Sequence, residues 1–253
     1  RSPPATIRPM HMNHRESAIA ALALGFAALE RPLRPVEHRL AGKTPYLFWS
    51  ESGRRGDEFT HEFYAIESDP AATMADIATL EIGSDHLVAV ITEDEANGVG
   101  PWLMAGYAIG SEEPIMLSDL NLSPATSDVD VQVEPVATIV QAEAIATSHA
   151  EIGYPVRSWN QALLDDPQVR YLQICADGMP VCVGKIALIA PCAYITDIVT
   201  LPTHRKQGLA GALMRAMEAE ARAAGIGQAV LTASAMGRHL YASLGYETVA
   251  HQT

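Results

Sequence analysis

The chain is short of cysteine, short of positive charge and without a long apolar run. Its three cysteines, Cys175, Cys182 and Cys192, form no Cys-x-x-Cys pair within the 253 residues. So few, and an odd number, exclude a disulfide framework and suit a reducing, cytoplasmic compartment. Cys175 and Cys182 fall in strand-like runs, where a thiol is expected as a small apolar core residue. Seventeen Lys and Arg stand against thirty Asp and Glu, a formal net charge of −13. An acidic chain repels phosphate backbones, which argues against a nucleic-acid partner, and attracts a cationic amine. No apolar stretch approaches the ~20 residues of a membrane span. The alanine-rich run Ser17–Leu29, flanked by Arg15 and Glu30, is too short for one and is expected as a buried helix.

Several catalytic signatures are also missing. The nine histidines include no His-Glu-x-x-His, so no metal is expected. There is no Gly-x-Ser-x-Gly elbow, no Gly-Lys-Ser/Thr phosphate loop and no three-glycine dinucleotide fingerprint.

What is present is the composition of a globular α/β protein, 48% hydrophobic and 19% charged, long enough for one large or two small cores. In the N-terminal half, a β-like run at Ala5–Met10 precedes a helix over Asn13–Glu30, which Pro32 and Pro35 terminate. Strands are expected at Tyr46–Trp49, Glu58–Ile66, His86–Thr92 and Pro114–Leu117. Asp69-Pro70 starts a helix, with proline at its first position, and a short helix is expected at Gly100–Ala105. The small, polar, proline-containing segment after Ser118 suits a linker. It divides the chain into 1–125 and 126–253.

The C-terminal half carries the stronger periodicities. Val129–Val133 alternates like a strand, and Ala137–His149 and Pro155–Leu164 read as helices. Tyr171–Cys175 and Val181–Ile189 form a hairpin about Asp177-Gly178. A third strand runs over Ala193–Thr200. The helix from Gly208 to Ala224 has the apolar stripe Leu209, Ala212, Leu213, Ala216, Met217 and Ala224, with Glu220 on the same face and Glu218 and Arg222 away from its centre. Gln228–Ala233, Gly237–Leu244 and Tyr246–Ala250 give strand, short helix and strand.

Chemistry concentrates between the third strand and the long helix, at Arg205-Lys206-Gln207-Gly208-Leu209-Ala210. A helix N-terminus presents unpaired amides and a partial positive charge, a ready anion site. Gly208 and Ala210 keep side chains out of the way, and Arg205 and Lys206 add charge. The anion that suits such a loop is a pyrophosphate.

The stretch Asp197–Leu213 resembles the acetyl-CoA-binding motif of the GNAT superfamily. Leu231–Tyr246, which ends in Leu-Tyr-x-x-x-Gly-Tyr, is similar to that family's second signature. The resemblance covers about Val129–Thr253. It implies a GNAT fold, α/β (α+β), with a mixed central sheet flanked by helices. It also implies an N-acyltransferase that moves an acetyl group from acetyl-CoA to a primary amine of a small molecule, amino acid or peptide. The implied cofactor-binding set is Ile198, Val199, Thr200, Arg205, Lys206, Gln207, Gly208, Leu209, Ala210, Ser234 and Arg238. The backbone at Ile198 and Val199 would pair with the pantetheine arm, and the loop amides would hold pyrophosphate. Ser234 stands where many members carry Asn. Tyr241 is the implied general acid for the departing thiolate, since a phenol of pKa about 10 is protonated at neutral pH.

A base is also needed. Tyr194, Asp197, His204, Glu143, Glu151 and a water chain all remain open. A regular strand puts Tyr194 and Asp197 on opposite faces unless a bulge intervenes. The N-terminal half faintly resembles a degenerate GNAT unit in a tandem arrangement. It lacks the Arg-x-x-Gly-x-Ala loop, so it is expected to complete the sheet, or to wall the acceptor pocket with Tyr46, Phe48, Trp49, Phe63 and Tyr64, without binding acetyl-CoA. A catalytically silent acyl-CoA-binding or protein-interaction module is the alternative, and an unrelated nucleotide-binding protein a third. A homodimer is the expected assembly on general frequency alone.

Overall fold

The computed structural model describes residues 14–32, 35–49, 59–82, 86–93, 98–122, 129–153 and 160–253. The expected strand at 5–10 and the boundary at Ala125 lie outside them.

In chain order the elements are α1 (His14–Glu30), β1 (Val36–Ala41), β2 (Thr44–Trp49), β3 (His61–Ile66), α2 (Pro70–Ala78), β4 (His86–Thr92), α3 (Gly100–Met104), β5 (Glu113–Asp119), β6 (Glu134–Pro135), α4 (Ile139–Ala150), α5 (Gln161–Leu164), β7 (Val169–Ala176), β8 (Met179–Ala187), β9 (Cys192–Thr200), a 3-10 turn (Pro202–His204), α6 (Leu209–Ala223), β10 (Gln228–Thr232), α7 (Arg238–Ser243) and β11 (Glu247–Gln252). The strands form one eleven-stranded mixed sheet in the order β1-β2-β3-β4-β11-β5-β10-β9-β8-β7-β6. The two halves therefore interleave. β5, from the N-terminal half, lies between β10 and β11 and is antiparallel to both. The parallel pairs are β3–β4 and β9–β10.

Helices cover both faces. On one, α6 packs through Leu209, Ala212, Leu213, Met214, Met217 and Ala221 onto β8–β10. On the other, α1 buries Ala18, Ile19, Ala21, Leu22, Ala27, Ala28 and Leu29 against a core that includes Tyr194, Val230, Ile115 and Tyr64. The expectation of a buried helix at 17–29 is met. Gly25 is the contact point, because a Cβ there would fall 2.2 Å from the Tyr194 Cβ.

Several sequence expectations need correction. Residues 129–133 form no strand, and the paired segment is the short Glu134–Pro135. β1 was not anticipated, because its six residues show the burial pattern of a solvated edge, with four consecutive exposed positions. Of the helix expected at Pro155–Leu164, only Gln161–Leu164 falls within described residues. Cys175 is exposed, whereas Cys182 and Cys192 are buried. The α6 stripe is also rotated from expectation: Ala224 is exposed and Glu218 is fully buried. Glu218 accepts from Arg215 at 2.7 Å and lies 3.6 Å from Arg222. Those arginines in turn donate to the carbonyls of Leu244 and Leu120, so the buried charge ties α6 to the ends of α7 and β5.

Candidate functional site

The parallel strands β9 and β10 share only three rungs, Cys192↔Gln228, Ala193↔Ala229 and Tyr194↔Val230. β9 continues to Thr200 along β8, while β10 stays with β5, so the two strands part beyond Tyr194. This leaves the β10-facing edge of Ile198–Thr200 outside that ladder, with room for an extended chain to lie along it. β3–β4, the parallel pair of the other half, is closed instead, with all six rungs from His61↔His86 to Ile66↔Ile91.

The opening leads to the start of α6. Gly208 is the N-cap in a left-handed conformation, φ 78°, and no side chain caps the helix. Lys206 is left-handed as well, φ 61°. Such turns direct successive amides to one side, an anion-binding concavity. A Cβ on Gly208 would meet Val129 Cγ2 at 2.5 Å. Arg205 folds back to donate from Nε to the Thr200 carbonyl at 3.1 Å, which fixes the loop to the end of β9. Leu209 is buried and anchors the helix, while Arg205, Lys206, Gln207 and Gly208 are exposed. An uncapped helix start beside two cations fits a pyrophosphate. The N-terminus of α2 does not, because the Asp69 carboxylate already accepts from the Ala71 amide there.

β9 carries a bulge. Val183 pairs with Val199 and Lys185 with Thr196, so Asp197 and Ile198 together oppose Gly184. Asp197 takes φ 55°, which turns its side chain toward Lys185. Lys185 Nζ donates to Asp197 Oδ2 at 2.6 Å and lies 5.6 Å from the Tyr171 ring centroid. The bulge thereby brings Asp197 to the face that carries Tyr194 and Thr196. A cleft of about 100 Å³ opens there, lined by Phe26, Leu29, Glu30, Leu163, Lys185, Thr196 and Asp197. Ile198 turns to the opposite face, filling the space beside Gly184 with Leu213 and Met217.

Two tyrosines flank the opening from opposite faces. Tyr194 belongs to the α1-side core and Tyr241, on α7, to the α6-side core. Burial raises the Tyr194 phenol pKa; a hydrogen bond with Thr196 opposes this, and the charges of Asp197, Glu62 and Glu113 add to the rise. Burial, with smaller contributions from Cys182 and Glu113, pushes Tyr241 up to about 12. Glu113 and Glu62 were not singled out from sequence. Both belong to the N-terminal half, and nothing in their local sequence marks them.

The remaining candidates lie around this frame. Thr200 Oγ1 contacts Cys182 Sγ at 3.1 Å, and Val199 is buried against α4. Ala210 is half-buried in the first turn of α6. Ser234 lies in the turn before α7, its hydroxyl accepting from the Gly237 amide at 3.2 Å, and it is exposed, as is Arg238. Glu143 and Glu151 are exposed on and just after α4. His204 Nδ1 sits 2.9 Å from the Thr203 hydroxyl in the 3-10 turn. Tyr46 and Phe63 lie in a separate core under α2 and α3, with Phe48 packed against it, whereas Trp49 and Tyr64 join the α1-side core. Among the described residues no three His, Cys, Asp or Glu side chains gather as a metal site. A larger cavity, about 600 Å³, lies between β4 and residues 105–111 and is lined by none of the candidate catalytic or cofactor-binding residues.

Comparison with known proteins agrees with this geometry. Residues 188–249 match the family model of the acetyltransferase (GNAT) domain. No curated protein sequence matches the chain. Among solved structures, a GCN5-related N-acetyltransferase from Kribbella flavida aligns over 93% of this chain and 93% of its own, with a TM-score of 0.65 and 22% identity. A functionally unknown conserved protein from Staphylococcus epidermidis ATCC 12228 aligns over 82% of this chain and 88% of its own, with a TM-score of 0.54 and 13% identity. At such identities the likeness is one of fold, and it extends across both halves. The family match lies in the segment that holds the β9–β10 opening, the uncapped α6 and Tyr241, so the likeness to the acetyltransferase (GNAT) domain falls within the C-terminal half.

Proposed function

We propose that the protein transfers an acetyl group from acetyl-CoA to a primary amine of a small molecule, amino acid or peptide. The observation that carries this reading is the parting of β9 from β10 beyond Tyr194↔Val230, which ends at the uncapped N-terminus of α6. Pantetheine would lie along Ile198–Thr200, and pyrophosphate would meet the amides of Gln207–Ala210 with Arg205 and Lys206 beside them. Ser234 and Arg238, exposed at the start of α7, would border the same arm. The amine forms its bond to the acetyl carbon, the carbon–sulfur bond breaks, and the departing thiolate takes the Tyr241 proton. A phenol pushed up to about 12 is fully protonated at neutral pH, so its proton is in place when the thiolate departs.

The base set can be narrowed. Asp197 is held by Lys185, and burial keeps Tyr194 neutral, which suits both to shaping the acceptor side of β9. Glu143 and Glu151 face solvent. The halves 1–125 and 126–253 remain our division of labour: the first supplies β5 and α1 to the second. Its closed β3–β4 pair and Asp69-capped α2 argue against a second acetyl-CoA site there. The unpaired thiols suit a cytoplasmic protein.

Calorimetric titration with acetyl-CoA, beside ATP and NAD, tests the reading. Wild type should bind acetyl-CoA in preference, and Gly208→Trp should lose it. Absence of acetyl-CoA binding by the wild type would remove the enzyme assignment.

A further inference from the structure

β5 begins at Glu113, and its position there follows from the sheet. The last β5–β10 rung is Ile115↔Thr232, after which the Ala233 amide donates to the Pro114 carbonyl at 2.9 Å. Glu113 therefore stands one residue beyond the point where β10 leaves the sheet and the chain turns to α7. It pairs across with Gln252 of β11. Alternation along the strand puts Glu113 on the face of Ile115 and Leu117, both in the core that holds Tyr194.

Glu113 is half-buried and, among the described residues, forms no ion pair. After burial and the other groups, its charge adds the smallest of the contributions to the raised pKa of both Tyr194 of β9 and Tyr241 of α7, although these two approach from opposite faces. A single carboxylate that acts on both stands at the end of the β9–β10 opening. Of the other acidic groups that act on Tyr194, Asp197 is tied to Lys185, and Glu62 of β3 accepts from Tyr64 at 2.9 Å.

Tyr241 is 8% exposed, and its hydroxyl has no hydrogen-bond partner among the described residues. That oxygen is not one of the fully enclosed ones, so solvent or a bound substrate can reach it.

We propose that Glu113, contributed by the N-terminal half, receives the ammonium group of the acceptor and takes its proton. This rests on the acetyl-transfer reading. One proton passes from the ammonium to the Glu113 carboxylate. The free amine forms its bond to the acetyl carbon as the carbon–sulfur bond breaks and Tyr241 protonates sulfur. The second amine proton returns to Tyr241 through solvent. The acceptor end of the site then belongs to the inserted strand β5, and the CoA end to β9 and α6.

The test compares wild type, Glu113→Gln and Glu113→Asp. Acetyl-CoA affinity and thermal stability are measured first, then thiol release across pH with n-butylamine, putrescine and glycinamide as amine probes. Glu113→Gln should keep acetyl-CoA affinity, lose about 100-fold or more in amine-dependent kcat/KM, and lose the fall in rate at low pH that protonation of a base produces. Glu113→Asp should recover part of the rate. Retention of the wild-type rate and low-pH limb by Glu113→Gln overturns the proposal. So does a wild type that binds acetyl-CoA but acetylates none of the probes. A wild type that does not bind acetyl-CoA overturns the acetyl-transfer reading instead, which separates the two failures.

Discussion

Replacing Gly25 by alanine should destabilise the protein, against the usual sense of that change. Within a helix, alanine is better than glycine by about 1 kcal/mol. At Gly25, however, the new Cβ would lie 2.2 Å from the Tyr194 Cβ and 2.6 Å from Cγ and Cδ1. Carbon atoms at rest sit roughly 3.5–4.0 Å apart, so α1 and β9 must separate by more than an ångström. The Tyr194 Cβ cannot rotate away, because it is fixed to a strand paired on both sides. Overpacking of this kind costs about 1–3 kcal/mol, at the upper end when the obstructing atom is next to backbone. The balance is a net loss of about 1–2 kcal/mol, or a fall in Tm of roughly 2–8 °C for a chain of this size. Gly211 provides the control. It lies in α6 with nothing within 4 Å of an added Cβ, so Gly211→Ala should gain the helix-propensity term alone. Thermal and guanidinium denaturation of the two variants should give shifts of opposite sign. A Gly25→Ala protein as stable as wild type would refute the close α1–β9 packing that shapes the Tyr194 side of the site.

Two further outcomes follow from the tyrosines. Tyr241→Phe should bind acetyl-CoA like wild type while losing about 100-fold or more in turnover; unchanged turnover removes the acid assignment, and a wild type that binds without turnover favours a silent binding module. Stability should also fall steeply at high pH. Burial raises the pKa values of Tyr64, Tyr194, Tyr241 and Tyr246 in the native state. The unfolded chain gives up these protons near pH ~10, so the stabilisation is complete below that value and is lost as pH rises through the folded values. For Tyr241 alone, the step from about 10 to about 12 corresponds to about 3 kcal/mol. Denaturant midpoints that stay level from neutral pH through the ionisation of solvated tyrosine would contradict this burial.

Much of the fold was readable because its signals are local. The Asp69-Pro70 start of α2, the Asp177-Gly178 hairpin and the limits of β4 need only neighbouring residues. The Arg-x-x-Gly-x-Ala loop was readable for the same reason: a left-handed glycine at a helix start and two cations are adjacent in the chain. β1 was missed because a solvated edge strand has no alternation to read. Glu218 was placed outside because a lone carboxylate on a helix looks solvated until two arginines, three and four residues away, enclose it.

The amino-acid sequence by itself determined the Arg-x-x-Gly-x-Ala turn at the head of α6 and the order of most strands and helices, while Tyr241 was marked by the resemblance of its segment to a family signature. The first two depend on backbone preference or on spacing along a single element. Only the tertiary structure decided which strands become neighbours. It placed β5 between β10 and β11, parted β9 from β10 after three rungs, and turned Asp197 through a bulge onto the face of Tyr194. Pairing of this kind joins residues more than a hundred positions apart, as when Ile115 meets Thr232. It is fixed by which apolar faces can be buried together, a property of the assembled sheet that no single segment contains.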